Sequence, residues 1–182
     1  EAEKGRGILD GPADIAYPVD EIIISRDGQT IRMKRTGEGK DLQWNVIEPM
    51  DAVAVKYRVE KMVKVFKEKT SSVVTKAIQS GDHPLFDFEA ERRIAITLKA
   101  GGAVWNGVDL VLGRVEESET EAAQGGVAKD TWVMVAGDEG TAYRIGGKDL
   151  RTDFDVAMSE LRDKKLFSVK GDDLVHIEVT AP

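Results

Sequence analysis

The chain has 182 residues and no cysteine, which excludes disulfides, thiol nucleophiles and thiolate metal sites. Hydrophobic residues make up 41% and charged residues 32%, which is typical of a globular domain with its own core and argues against collagen-like, membrane-spanning and wholly disordered classes. The net charge of −7 argues against a nucleic-acid partner, because phosphate binding needs a basic surface.

The first 17 residues differ in character from the rest of the chain. They are polar, contain three glycines and Pro12, and lack hydrophobic periodicity. This pattern predicts that residues 1–17 are a flexible lead-in or tether. We expect a single domain over residues 18–179.

Three strands are predicted next. Residues 21–25 and 30–35 are strand-like, and Asp27-Gly28 between them is a strong hairpin signal. Residues 42–47 alternate apolar with polar side chains and end before Pro49, which cannot donate to a sheet.

The periodicity changes after Asp51. Apolar residues recur at helical spacing over residues 52–66, and Asp51 is a suitable N-cap, so we predict an amphipathic helix. Residues 71–80 fit either a short helix or a strand. Residues 81–84 are expected to form a loop.

The second half repeats this order. Strands are predicted over residues 93–99, 108–112, 131–135 and 141–145, and a second amphipathic helix begins with Thr152 as its N-cap. We therefore predict an α+β fold with two similar halves, residues 18–84 and 90–179. Each half is expected to be a mainly antiparallel strand set followed by an amphipathic helix.

The first predicted helix lies in an unusually basic segment. Residues 52–76 hold seven Lys or Arg against two Glu, a balance of +5, so the rest of the chain carries −12. Such a helix is suited to an anionic membrane surface, a polyanionic glycan or an acidic partner. We predict partner-binding residues at Lys56, Lys61, Lys64 and Lys67; the alternative is that these lysines form only a solvated helix face.

One short segment places a histidine among carboxylates. Asp82, His83 and Asp87 fit acid/base chemistry only if other elements complete the site, and a polar loop that enters a strand is the alternative interpretation. The sequence contains no known catalytic or dinucleotide-binding motif. We predict no metal site and no cofactor.

Several segments, in this order, resemble one bacterial family. They are Trp44-Asn45-Val46-Ile47-Glu48-Pro49 before a helix, Leu85-Phe86-Asp87-Phe88 before the strand Ile94-Ala95-Ile96-Thr97-Leu98, then Leu110-Val111-Leu112-Gly113, Tyr143-Arg144-Ile145 and Leu161-Arg162-Asp163-Lys164-Lys165-Leu166-Phe167. Over residues 18–179 the chain resembles the bacterial domain-of-unknown-function family 4340. The resemblance implies an N-terminal membrane segment, an extracytoplasmic domain and genes beside ABC transporters of the gliding-motility type. It implies no catalytic residues.

Three functions follow as expectations. The first is a non-enzymatic extracytoplasmic binding or scaffolding domain of a membrane-tethered bacterial protein, with a protein partner in the cell envelope and an accessory role beside an ABC transporter. Its membrane anchor is expected before Glu1. The second is a receptor for a small molecule or envelope glycan in a groove between the halves. The third is a hydrolase that uses Asp82, His83 and Asp87.

Overall fold

One antiparallel sheet dominates the computed structural model, which describes residues 19–37, 41–66, 73–118 and 128–164. The strands in these residues are β1 (Glu21–Arg26), β2 (Gln29–Thr36), β3 (Gln43–Glu48), β4 (Ala52–Val53), β5 (Val73–Ala77), β6 (Ile94–Ala100), β7 (Ala103–Glu117), β8 (Lys129–Val135) and β9 (Thr141–Ile145). Their order in the sheet is β4-β3-β2-β1-β6-β7-β8-β9-β5. The helices are α1 (Lys56–Lys64), α2 (Leu150–Phe154), α3 (Met158–Leu161) and a 3₁₀ helix (Ser80–Phe86).

The predicted first hairpin is confirmed. Asp27 and Gly28 both have positive φ, 50° and 73°, as a type I′ turn between two twisted strands requires. Ile22 and Ile24 alternate with more exposed neighbours and are buried in the core. The third predicted strand is confirmed as β3.

The predicted α+β fold with two similar halves is wrong. In the residues given above, the structure has a single sheet of nine strands, with small helices, rather than two strand sets that each end in an amphipathic helix. Strand β1 pairs with β6, and β5 lies at the far end beside β9. Strands from the first and second halves of the sequence therefore belong to one sheet. Local hydrophobic periodicity predicts strands but does not predict which distant strands pair.

The helix predicted to begin after Asp51 starts only at Lys56, and its N-cap is Val55. The residues before it belong to the sheet. The Ala54 N–H donates to the Trp44 carbonyl at 2.8 Å, and β4 pairs with β3. The helical pattern places Ala54 in the first turn of the helix, but its backbone N–H is hydrogen-bonded in the sheet instead.

The second predicted helix is two short helices. Its N-cap is Asp149 rather than Thr152, because the Asp149 carboxylate accepts a hydrogen bond from the Thr152 N–H at 3.0 Å. The chain then leaves helical geometry over residues 155–157 before α3 begins. Phe154 and Leu161 are nonetheless both buried, as the apolar pattern predicted.

Residues on both faces of the sheet are buried. One face, together with α1, α2 and α3, forms the larger core, in which the rings of Phe66 and Phe154 lie 5.6 Å apart. The other face, at β7, β8 and β9, is covered by the 3₁₀ helix. There Phe86 packs edge-on against Trp132, with the two ring centroids 4.7 Å apart. The segment expected to be a loop at residues 81–84 is therefore a packed 3₁₀ turn.

The two edge strands of the sheet, β4 and β5, differ in whether another segment covers them. Strand β4 has only two residues, and the chain beyond α3 runs beside it: the Asp163 N–H donates to the Val53 carbonyl at 2.7 Å, and Ala54 bridges to Arg162. At the opposite edge, β5 is a five-residue strand that pairs with β9 alone within the ranges given above.

Candidate interaction surface on α1

Helix α1 presents one stripe to solvent and another to the core. Tyr57, Lys61 and Lys64 are exposed at spacings of four and three residues, which places them on one face. Val59 and Met62 are buried against the sheet on the other face. Tyr57 is 67% exposed, the most exposed of the large hydrophobic side chains in the described residues.

A groove runs between α1 and α2 beside this stripe. Its volume is about 290 Å³, near the lower limit for small-ligand sites. The buried side chains of Met62 and Val156 are apolar lining residues. The remaining lining residues are polar or aromatic: Tyr57, Arg58, Lys61, Thr152 and Asp153.

Acidic residues of α2 and α3 hold the cations of α1 in place. Lys61 Nζ lies 2.5 Å from Asp153 Oδ1, and this hydrogen bond, with the Coulomb attraction, raises the pKa of Lys61. Arg58 Nη1 lies 3.3 Å from Glu160 Oε2. Part of the positive charge that the sequence places on α1 is thus balanced within the molecule.

The structure places three of the four predicted partner-binding lysines on α1. Lys61 lines the groove, and Lys56 lies 3.8 Å from Glu60 on the same helix. Lys64 is exposed on the same stripe as Lys61. Lys67 lies outside the described residues. Their role in partner binding stays a prediction.

Sequence reasoning missed the groove residues outside the lysines. Tyr57 carried a usable signal, because it is an aromatic residue within the polar arc of an amphipathic helix. Thr152 and Asp153 carried none, since nothing in the local pattern says that α2 packs beside α1.

The predicted acid/base residues bind three different partners. The Asp82 carboxylate accepts from the Gln79 N–H at 2.9 Å and so caps the 3₁₀ helix. His83 Nε2 lies 3.2 Å from a backbone carbonyl oxygen. The Asp87 carboxylate accepts a hydrogen bond from Arg92 Nη1 at 2.9 Å. Within the described ranges no group of three His, Cys, Asp or Glu side chains is arranged to hold a metal ion.

Asp149 anchors the first turn of α2, which forms one wall of the groove. Burial alone would raise the pKa of its carboxyl, but hydrogen bonds from the Thr152 N–H and from Lys129 Nζ, 3.0 Å away, lower it below its ordinary value. Since the folded pKa is lowered, the charge stabilises the fold above the unfolded pKa. That contribution is lost as the pH falls through the folded pKa.

We therefore expect Asp149→Asn to lower the free energy of unfolding by about 0.5–1 kcal/mol at pH 7, because asparagine keeps the cap and loses the charge. The difference from the wild type should shrink as the pH falls from the ordinary pKa of an aspartate, about 3.9, through the lowered folded pKa, because Asp149 then loses its own charge. Urea unfolding across this range measures it. A difference that is constant with pH would contradict the role of the charge.

Comparisons with protein-family models, with curated proteins and with solved structures found no match. Among the described residues no helix is both long and apolar enough to span a membrane. The resemblance to the domain-of-unknown-function family 4340 stays a prediction.

Proposed function

We propose that this chain is a non-enzymatic protein-binding domain of a bacterial protein that is tethered to the membrane and faces outside the cytoplasm. In this role it scaffolds a partner in the cell envelope, beside an ABC transporter. The family resemblance motivates the location and the tether. The observation that supports binding is the α1 surface, defined here as the exposed stripe of α1 together with its groove.

The α1 surface combines residue types that protein interfaces favour. Tyr57 is an exposed aromatic side chain beside a groove, and Tyr and Arg are enriched at energetically dominant interface positions. The apolar residues Met62 and Val156 line the groove, which has room for one partner side chain. We expect the central contact to be an apolar or aromatic side chain inserted beside Tyr57.

The charges indicate the chemistry around that contact. Among the described residues, this surface carries four cations (Lys56, Arg58, Lys61 and Lys64) and three carboxylates (Glu60, Asp153 and Glu160), a difference of one positive charge. This excess is too small for strong long-range steering at physiological salt. The partner is therefore an acidic segment that meets the lysines at short range around an apolar anchor.

A carbodiimide, which joins ammonium groups to carboxylates in contact, tests this directly in native envelope preparations of the full-length protein. We expect mass spectrometry to identify links from Lys56 or Lys64 to Asp or Glu of one envelope protein. The internal pair Lys61–Asp153 provides a built-in control for the folded state. Recovery of the full-length protein without any partner link at these lysines would overturn the proposal.

We expect Tyr57→Ala to reduce the partner links about tenfold, because it removes the aromatic contact, and to leave the Lys61–Asp153 link unchanged. Leu85→Ala is the matched control: Leu85 is 57% exposed and lies on the 3₁₀ helix, which covers the opposite face of the sheet. Reversing Lys61 to Glu is unsuitable here, since it would place a second carboxylate against Asp153. Equal losses in both alanine variants would contradict a specific role of Tyr57.

A receptor for a small molecule or envelope glycan is the second candidate, in the groove of the α1 surface rather than between two halves. Its support is an exposed Tyr57 next to Thr152 and Asp153, an aromatic face with polar neighbours. It predicts that the isolated 182-residue chain binds such a ligand, and that Tyr57→Ala abolishes binding. Ligand binding without any protein link would favour this candidate over the first.

A further inference from the structure

Strand β5 is an unusually exposed strand. All five of its residues are exposed, including Val73 and Val74 at 37% and 40%. It pairs with β9 on one side, and no strand among the described residues pairs with its other side. An edge of this kind presents a row of backbone donors and acceptors to any further strand.

The register identifies which backbone groups point outward. The Ile78 N–H donates to the Gly140 carbonyl at 2.9 Å, one position beyond the pair Ala77↔Thr141. Because hydrogen-bonding direction alternates along an antiparallel strand, Val74 and Lys76 face β9. The N–H and C=O groups of Val73, Thr75 and Ala77 therefore face the open edge.

Lys76 is the only charged residue on β5, and lysines often protect edge strands. Here its side chain turns away from the edge. Its ammonium lies 5.0 Å from the ring centroid of Phe86, and its cross-strand neighbour is the small Ala142. Strand β4, by contrast, is short and is covered by the chain beyond α3.

We propose that this edge pairs with the same strand of a second copy of the chain, antiparallel and with Thr75 on the two-fold axis. In that register Val73 lies opposite Ala77 of the second copy, and Thr75 lies opposite itself, so all the outward N–H and C=O groups find partners. The two Thr75 hydroxyls can hydrogen-bond, and Val74 lies opposite Lys76. Occupancy by a second copy is favoured because the five-residue strand is complementary to itself, and two-fold dimers are the commonest oligomers.

Backbone amide exchange at rising concentrations of the 182-residue chain tests the pairing residue by residue. We expect the amides of Val73, Thr75 and Ala77 to become protected as concentration rises from about 10 μM to about 1 mM, since a single strand pair is a small interface. The amides of Val74 and Lys76 should be protected at every concentration by their bonds to β9. Protection of all five that does not depend on concentration would overturn the proposal.

Two kinds of variant make the test independent of exchange rates. Thr75→Pro removes an outward donor without removing a bond to β9, so sedimentation should show monomer, whereas Thr75→Val should dimerise like the wild type. Since the chain has no cysteine, Thr75→Cys places a single thiol on the proposed axis, where paired Cα atoms lie about 5.5 Å apart and can be bridged.

We expect Thr75→Cys to form a disulfide dimer on mild oxidation at least tenfold faster than Val104→Cys, a control at an exposed strand position. Equal rates for the two thiols would overturn the proposal, as would a wild-type chain that stays monomeric at about 1 mM. A chain that stays monomeric but binds an extended peptide at β5 would show that this edge serves a different partner. This result would also overturn the proposal.

Discussion

Replacing Gly113 by alanine should lower the free energy of unfolding by about 3 kcal/mol, at the upper end of the range for overpacking. A Cβ at this position would collide with the backbone carbonyl oxygen of Phe86 and would lie 2.6 Å from a ring carbon of Phe88. Both neighbours are buried, and the carbonyl cannot move by a simple rotamer change. The 3₁₀ helix must therefore shift away from the sheet.

Urea unfolding of the variant measures this effect, with Gly81→Ala as the control. Gly81 lies in the same 3₁₀ helix, and a Cβ there would meet no atom within 4 Å. We expect the control to change stability by less than about 0.5 kcal/mol. Similar losses in the two variants would contradict the role of the close approach between Gly113 and the 3₁₀ helix.

Phe154→Ala should cost about 3–5 kcal/mol, the usual range when a buried phenylalanine is removed. Phe154 is 1% exposed, and its ring lies 5.6 Å from that of Phe66, which follows α1. The substitution leaves a cavity where α2 meets the core. Because α2 carries one wall of the groove, the partner links predicted for the α1 surface should weaken as well.

Thermal unfolding and carbodiimide crosslinking of the same variant separate the two effects. Leu85→Ala is the control for loss of a large side chain, since Leu85 is 57% exposed. A loss below about 1 kcal/mol for Phe154→Ala would mean that α2 contributes little to the core. Unchanged partner links in a variant that stays folded would mean that the groove wall is not part of the binding surface.

The parts of the fold that the sequence predicts are those with short-range causes. Asp27-Gly28 supplies the positive φ values of the first hairpin, and the alternation around Ile22 sets its buried face. The predicted start of the first helix is wrong because the Ala54 N–H donates to the Trp44 carbonyl on β3. Local periodicity does not predict this pairing with a neighbouring strand. The prediction of two halves rests on the order of strands followed by an amphipathic helix, which occurs twice along the sequence.

The residues of the α1 surface could likewise be predicted only where their signal is local in the sequence. Lys56 and Lys61 were predicted from the charge of one segment, and α1 carries both. Asp153, which binds Lys61, belongs to α2, and only tertiary packing makes them neighbours. A count of charges along the chain therefore identified a basic helix and overestimated how much of its charge a partner would meet.

The position of β1 in the sheet determines how the domain would bear a mechanical load. Although β1 is the first strand of the described part of the chain, it lies in the interior of the sheet, paired with β2 along its whole length and with β6 from Glu21 to Ser25. A pull on the chain at Val19, along the axis of β1, loads both ladders in shear, so many hydrogen bonds must break together rather than one after another. A tether that joins the domain at Val19 would therefore pull on two strand ladders at once.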